Sequence, residues 1–206
     1  IYAGFGMGSG VVVGQIFGAK QMESLSKAVA TAFVGAFFVG ITMSCIGLLI
    51  SKPLLSAINT PAEILDDANL YLRIYMCGCA TQLFYYMTSG LMRSMGDSKT
   101  PMQALILCAV LNIVLDIVFV VVFKMGCAGV ALATVISQAL SAVMVVSRVL
   151  TGTYGFKITR KDLKLDFGIL AMILKVGVPS AIQQLVHSLG QLLVQSNPTT
   201  FGTKLE

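Results

Sequence analysis

The chain has 206 residues, of which 56% are hydrophobic and only 11% are charged, and its mean hydropathy is +0.87. A soluble domain usually carries about a quarter of charged residues, so this composition excludes an ordinary soluble domain. The net charge of +5 does not indicate a nucleic-acid partner, because the basic residues fall in short segments between apolar runs. We therefore expect an all-α integral membrane protein.

Apolar runs of roughly 20 residues can cross a bilayer, and the chain has about six of them. In chain order these predicted transmembrane helices cover 1–19, 28–51, 68–92, 100–123, 126–147 and 167–196. Pro53 and Pro61 are typical helix breakers, so we predict that residues 51–67 form a connection. Because the chain starts inside an apolar run, we expect a fragment of a longer protein. The polar tail at 197–206 is expected to be partly vector-derived.

The basic residues divide unequally between the two sides of the membrane. If consecutive connections alternate sides, nine Lys and Arg fall on one side and three on the other, and the richer side is normally cytoplasmic. This predicts cytoplasmic loops at 19–27, 93–100 and 148–166. The richer side holds Lys20, Lys27, Arg93, Lys99, Arg148, Lys157, Arg160, Lys161 and Lys164, and the other holds Lys52, Arg73 and Lys124.

Glycines recur at every fourth residue in the first span, at Gly6, Gly10, Gly14 and Gly18. Small residues at this spacing let two helices approach closely in lipid. We interpret the stripe as a packing face, because no strand precedes it and the GxGxxG spacing of a dinucleotide site is absent.

The fourth span, AVLNIVLDIVFVVVF at 109–123, contains an asparagine, Asn112, and an aspartate, Asp116. An ionised aspartate at mid-membrane costs roughly 2.5–3.5 kcal/mol on insertion scales, so it rarely faces lipid. Asn112 and Asp116 are four residues apart and share one helix face. They are therefore expected to face the interior of the bundle, a partner or an aqueous path.

The fifth span returns through a short turn near Met125. Asp116 lies nine residues before this point and Thr134 nine residues after it, and Asn112 and Gln138 are related in the same way. Equal counts mean equal depth, about 13 Å along each helix for the first pair. We therefore predict that Asn112 and Asp116 face Thr134 and Gln138.

A carboxylate with neutral oxygen ligands suits Na⁺, and a partly desolvated carboxylate can also take up a proton. Either property predicts a site for a coupling cation. The alternative is a polar clamp between two helices without a ligand. The aspartate favours the functional interpretation, because an acidic residue in an apolar span is costly to keep.

Four motifs in this order resemble the multidrug and toxic compound extrusion (MATE) family, over about residues 1–196. They are GQIFGAKQ (14–21), LMRSMGDSKTP (91–101), LNIVLD (111–116) and GCAGVALATVISQ (126–138). The resemblance implies a multi-pass protein of the cell membrane that exports drugs or organic cations in exchange for Na⁺ or H⁺, by alternating access. It implies no enzymatic activity and no cofactor beyond the coupling ion.

MATE proteins have two lobes of six helices, and the resemblance aligns this chain with family helices 2–7. Residues 1–150 would then be five helices of the amino-terminal lobe, 151–166 the basic cytoplasmic connection and 167–196 the first helix of the second lobe. The family's cation site would include Asn112, Asp116 and Thr134, with Gln138 added by depth alone. The remaining half would be required for function.

The last span has a broad polar face that suits a cavity for a small organic cation, formed by Gln184, His187 and Gln191. Two other functions remain open at this point. One is a flippase for lipid-linked oligosaccharides of the same superfamily, although such a cavity is more often cationic. The other is a non-functional, truncated transporter. An intramembrane enzyme is not indicated, because the sequence has neither an HExxH helix nor a nucleophile with a base.

Overall fold

The computed structural model describes residues 2–57, 61–152, 154–155 and 165–196. Within these ranges the chain contains seven α-helices, one π-helix and no strand, which confirms the all-α prediction. The elements are α1 (Tyr2–Gly18), α2 (Met22–Ala57), α3 (Ala62–Cys77), α4 (Cys79–Ser94), α5 (Lys99–Asp116), the π-helix (Ile117–Val122), α6 (Gly126–Leu150) and α7 (Phe167–Ser196). The predicted tail at 197–206 lies outside the described residues.

The helices account for the six predicted spans. Among the described residues, four stretches are long and apolar enough to cross a membrane by themselves: Met22–Ser56, Lys99–Val122, Gly126–Leu150 and Phe167–Gln191. Only Gly78 separates α3 from α4, so these two helices together form the span predicted at 68–92. The remaining span is α1, which has 17 residues.

One predicted connection is wrong in part. Pro53 lies inside α2, which has 36 residues, whereas Pro61 does precede α3 with an extended backbone of φ −54° and ψ 139°. A proline lacks the backbone N–H and so removes one helical hydrogen bond. Pro53 lies near the end of α2, and the helix continues beyond it to Ala57. At 1.5 Å per residue α2 is about 54 Å long, so it extends beyond a hydrocarbon core of roughly 30 Å.

The buried core lies around α1, α2 and α4. Its fully buried side chains include Val13, Leu25, Val29, Leu83 and Leu91. In contrast, α5 packs mainly on α6 and presents most of its length outwards. The helix that carries Asp116 is therefore held chiefly by one neighbour.

Glycines on α1 allow this helix to cross closely over both α4 and α7. The sequence predicted one such packing face. Gly6 and Gly10 face α4, where a Cβ added to Gly90 would lie 2.5 Å from the carbonyl oxygen of Gly6. On another face of α1, a Cβ on Gly4 would lie 2.5 Å from the carbonyl oxygen of Gly177 in α7. The predicted stripe therefore packs on α4, and the α7 crossing uses glycines outside it.

Gly18, the last member of the predicted stripe, has no atom within 4 Å of an added Cβ. It lies where α1 ends, so it takes no part in either crossing.

The segments after α4 and after α6 meet at one end of the bundle. The hydroxyl of Tyr154 donates a hydrogen bond to Oδ2 of Asp97 at 2.7 Å. The loop predicted at 93–100 therefore lies on the same side as the described start of the segment predicted at 148–166, of which residues 153 and 156–164 lie outside the described residues. Their cytoplasmic orientation stays a prediction.

Candidate functional site

Asn112 on α5 and Thr134 on α6 meet between the two helices. Nδ2 of Asn112 donates to Oγ1 of Thr134 at 3.4 Å, and the Thr134 hydroxyl donates to the Val130 carbonyl at 2.9 Å. Because the amide nitrogen makes this contact, Oδ1 of Asn112 remains an acceptor. The pair thus offers neutral oxygen atoms within the membrane-spanning part of the hairpin.

Asp116 follows Asn112 by one helical turn on the same face. Its side chain is half-buried, and its buried Oδ1 has no hydrogen-bond partner among the described residues. Leaving a buried acceptor unpaired costs about 1–3 kcal/mol, and more for a charged group. Oδ1 of Asp116 is therefore available as an acceptor.

The hydrogen bonds across the hairpin place its midpoint earlier than Met125. Asn112 pairs with Thr134, and the Ser141 hydroxyl donates to the Ala104 carbonyl at 2.9 Å, so the midpoint of each pair falls at 122–123. The sequence had instead paired Asp116 with Thr134. Six residues of π-helix shorten the path from Asp116 to the turn, because a wider turn rises less per residue.

The same shift moves Gln138 away from Asn112. Gln138 is level with Cys108, and both line a small cavity of about 90 Å³ between α4, α5 and α6, together with Gln82 and Ser141. The prediction that Gln138 faces Asn112 is therefore wrong in register by one turn. The structure joins Asn112 to Thr134, and Asp116 lies one turn further along the same face of α5.

The π-helix begins at the residue after Asp116. Phe123 N–H donates to the Val118 carbonyl at 3.0 Å, an i to i+5 bond, and the chain then reverses through Lys124 and Gly126, which have φ of 54° and 55°. Short π-helical segments occur frequently at functional sites. The sequence did not predict this one, and its only signal is a run of β-branched residues that pack poorly in an α-helix.

The polar face of α7 lies on another part of the bundle. Gln184, His187 and Gln191 are exposed, and Ser180 on the same face lines an open groove of about 860 Å³ between α1, α4 and α7. Because α7 packs on α1 and α2, whereas Asp116 belongs to the α5–α6 hairpin, the structure does not join the two sets of predicted residues.

The model of the MatE family matches residues 1–118, which is more than half of the chain. The chain belongs to this family. It is 32% identical to the probable multidrug resistance protein YoeA of Bacillus subtilis (strain 168), over 97% of this chain and 45% of YoeA.

Solved structures of MATE transporters are similar in fold. An inward-facing multidrug resistance MATE transporter of the MOP superfamily is 28% identical with a TM-score of 0.83, over 91% of this chain and 43% of that one. An outward-facing one is 27% identical with a TM-score of 0.85, over 95% and 44%. The chain spans about half the length of the relatives it matches, and it is a multi-pass protein of the cell membrane.

Proposed function

We propose that the complete transporter exports drugs or organic cations in exchange for Na⁺ or H⁺ by alternating access. The described residues supply most of one lobe and the first helix of the second. Membership of the MatE family, the multidrug resistance name of a relative and similarity to both inward-facing and outward-facing transporters support this function. A transporter family also favours a role without enzymatic chemistry.

Asp116 is the residue that binds the coupling cation. The supporting observation is its buried Oδ1, which has no donor among the described residues and lies one turn from the Asn112–Thr134 contact. A bound Na⁺ or proton would remove the cost of this unpaired charge, and Asn112 and Thr134 offer the neutral oxygens that Na⁺ needs beside a carboxylate. Gln138 has a lesser role, because it lines the neighbouring cavity.

Cargo binds along the groove beside α1 and the polar face of α7, which includes Gln184, His187 and Gln191. Ser180 connects the two features, since it lines the groove and shares the α7 face. Every Lys and Arg that the structure describes is exposed. Arg93 is among the residues that line the groove, so the preference for cationic over anionic cargo, such as a lipid-linked pyrophosphate, rests on the lack of a buried Lys or Arg among the described residues.

Replacing Asp116 with asparagine in the complete transporter tests the proposal. The Asp116→Asn variant should insert normally, because losing a charge lowers the cost of placing α5 in lipid, yet its export should no longer depend on the Na⁺ or H⁺ gradient. Export from vesicles at a series of imposed gradients is the measurement. Asp67→Asn removes an exposed carboxylate on α3 and should behave as the wild type. Wild-type gradient dependence of Asp116→Asn would make Asp116 a structural residue only.

A further inference from the structure

The carboxylate of Asp97, in the loop between α4 and α5, accepts three hydrogen bonds. Its Oδ1 accepts the backbone N–H of Thr100 at 3.0 Å, and its Oδ2 accepts the hydroxyl of Thr100 at 2.7 Å and that of Tyr154 at 2.7 Å. Tyr154 lies 57 residues further along the chain, just after α6. One carboxylate therefore caps the start of α5 and ties it to the segment that follows α6.

The protonation states favour this contact at neutral pH. Partial burial acts to raise the pKa of Asp97, but hydrogen bonds from the Thr100 N–H, from Tyr154 and from the Thr100 hydroxyl outweigh it, and the pKa lies below its usual value. Burial, followed by the bond to Asp97, raises the pKa of Tyr154. The donor is therefore a protonated phenol and the acceptor an ionised carboxylate, which makes a strong, charge-assisted hydrogen bond.

This contact matters for α5 because the helix has few other neighbours. It packs mainly on α6, and two hydrogen bonds cross that interface within the helices, from Ser141 to the Ala104 carbonyl and from Asn112 to Thr134. At one end the hairpin is closed by the turn after the π-helix. At the other end it is closed by Asp97 and Tyr154.

We infer that Asp97 and Tyr154 are positioning residues, which fix α5 on α6 in the register that brings Asn112 to Thr134 and keeps Asp116 on the same face of α5. This inference rests on the proposed function of Asp116. The Asn112–Thr134 bond of 3.4 Å is longer than the usual range, so a small slide of α5 would break it. A slide by one residue, about 1.5 Å with a rotation of about 100°, would turn Asp116 off this face.

The test uses the complete transporter with Tyr154→Phe, which removes only the hydroxyl. The coupling-ion concentration for half-maximal export should rise about threefold to tenfold, since one hydrogen bond to a charged group is lost and its effect reaches the site indirectly. Ser98→Ala is the matched control, because Ser98 is the exposed neighbour of Asp97 and its side chain does not cap α5. It should leave the ion dependence unchanged.

A second variant, Asp97→Asn, should cause a similar rise, and the double variant should be no worse than the stronger single one because the two residues act as one unit. If the variants lower only the melting temperature and leave the half-maximal ion concentration unchanged, the contact stabilises the fold alone and the inference is overturned.

Asp116→Asn in the same assay separates this inference from the proposed function of Asp116. If export by Asp116→Asn still depends on the ion gradient, the proposed function of Asp116 is wrong, whatever the result for Tyr154→Phe.

Discussion

Asn112 and Asp116 form a polar pair in an otherwise apolar run, and the structure joins Asn112 to Thr134 on the neighbouring helix. Matched depth in the hairpin grouped Thr134 with these residues but paired it with Asp116 rather than with Asn112. The detail of the match was not predictable. The π-helix changes the rise per residue between Asp116 and the turn, so the count that paired Gln138 with Asn112 was displaced by one turn.

Conservative substitutions of Thr134 test the Asn112–Thr134 hydrogen bond without removing the whole side chain. Thr134→Val keeps the shape but removes the acceptor of the Asn112 amide. It should raise the half-maximal coupling-ion concentration up to about tenfold, because a partly buried donor is left unpaired. Thr134→Ser keeps the hydroxyl and should stay close to the wild type. Equal ion dependence of the valine and serine variants in vesicle export would argue against a role for the hydroxyl.

The Asp97–Tyr154 contact predicts a specific dependence of stability on pH. Because the pKa of Asp97 is lowered in the folded state, its contribution is complete above about pH 4, near the unfolded value, and is lost as the pH falls through the folded pKa. The raised pKa of Tyr154 has the opposite sign. Its contribution is complete below about pH 10 and is lost as the pH rises through the folded pKa.

Melting temperatures of detergent-solubilised transporter provide the measurement. Asp97→Asn should melt about 1–2 °C below the wild type between pH 5 and pH 8, which corresponds to about 1 kcal/mol for this partly exposed contact in a protein about twice as long as this chain. The difference should shrink below about pH 4. A difference that is constant from pH 3 to pH 8 would mean that ionised Asp97 is not the origin of the stabilisation.

At the scale of the helices, the predicted spans agree with the structure where apolar length alone decides. The departures occur where a local feature competes with that pattern. Pro53 did not end α2, Gly78 divides one span into α3 and α4, and the π-helix follows α5 without a clear sequence signal. The α7 crossing was also missed, because Gly4 and Gly177 lie far apart in the chain and only the folded bundle brings them together.

Gly90 and Gly18 should respond oppositely to substitution by alanine. A Cβ on Gly90 would lie 2.5 Å from the Gly6 carbonyl oxygen, so Gly90→Ala should destabilise the transporter by about 1–3 kcal/mol through overpacking of the α1–α4 crossing. A Cβ on Gly18 meets nothing within 4 Å, and Gly18→Ala should be neutral or stabilising by up to about 1 kcal/mol. Thermal unfolding of both variants checks this, and a harmless Gly90→Ala would contradict the close crossing.

At the scale of the whole molecule, the chain spans 45% of its relative YoeA, and the polar face of α7 is exposed. If cargo moves between two lobes, residues 1–206 alone should insert in the membrane but give no export above an empty vector. Efflux of a cationic dye from cells is the measurement, with the complete transporter as the positive control. Dye efflux by the short chain would show that one lobe, or two copies of it, is sufficient.

Binding of the coupling ion to purified, complete transporter tests most directly whether Asp116 is the ligand. Equilibrium binding of isotopic Na⁺, with proton uptake measured in parallel, should give one saturable component in the wild type that Asp116→Asn abolishes and Asp67→Asn retains. Loss of that component from Asp116→Asn, with normal folding, is the result we predict. Saturable binding of the same ion at wild-type affinity in Asp116→Asn would contradict the assignment of Asp116 as the ligand.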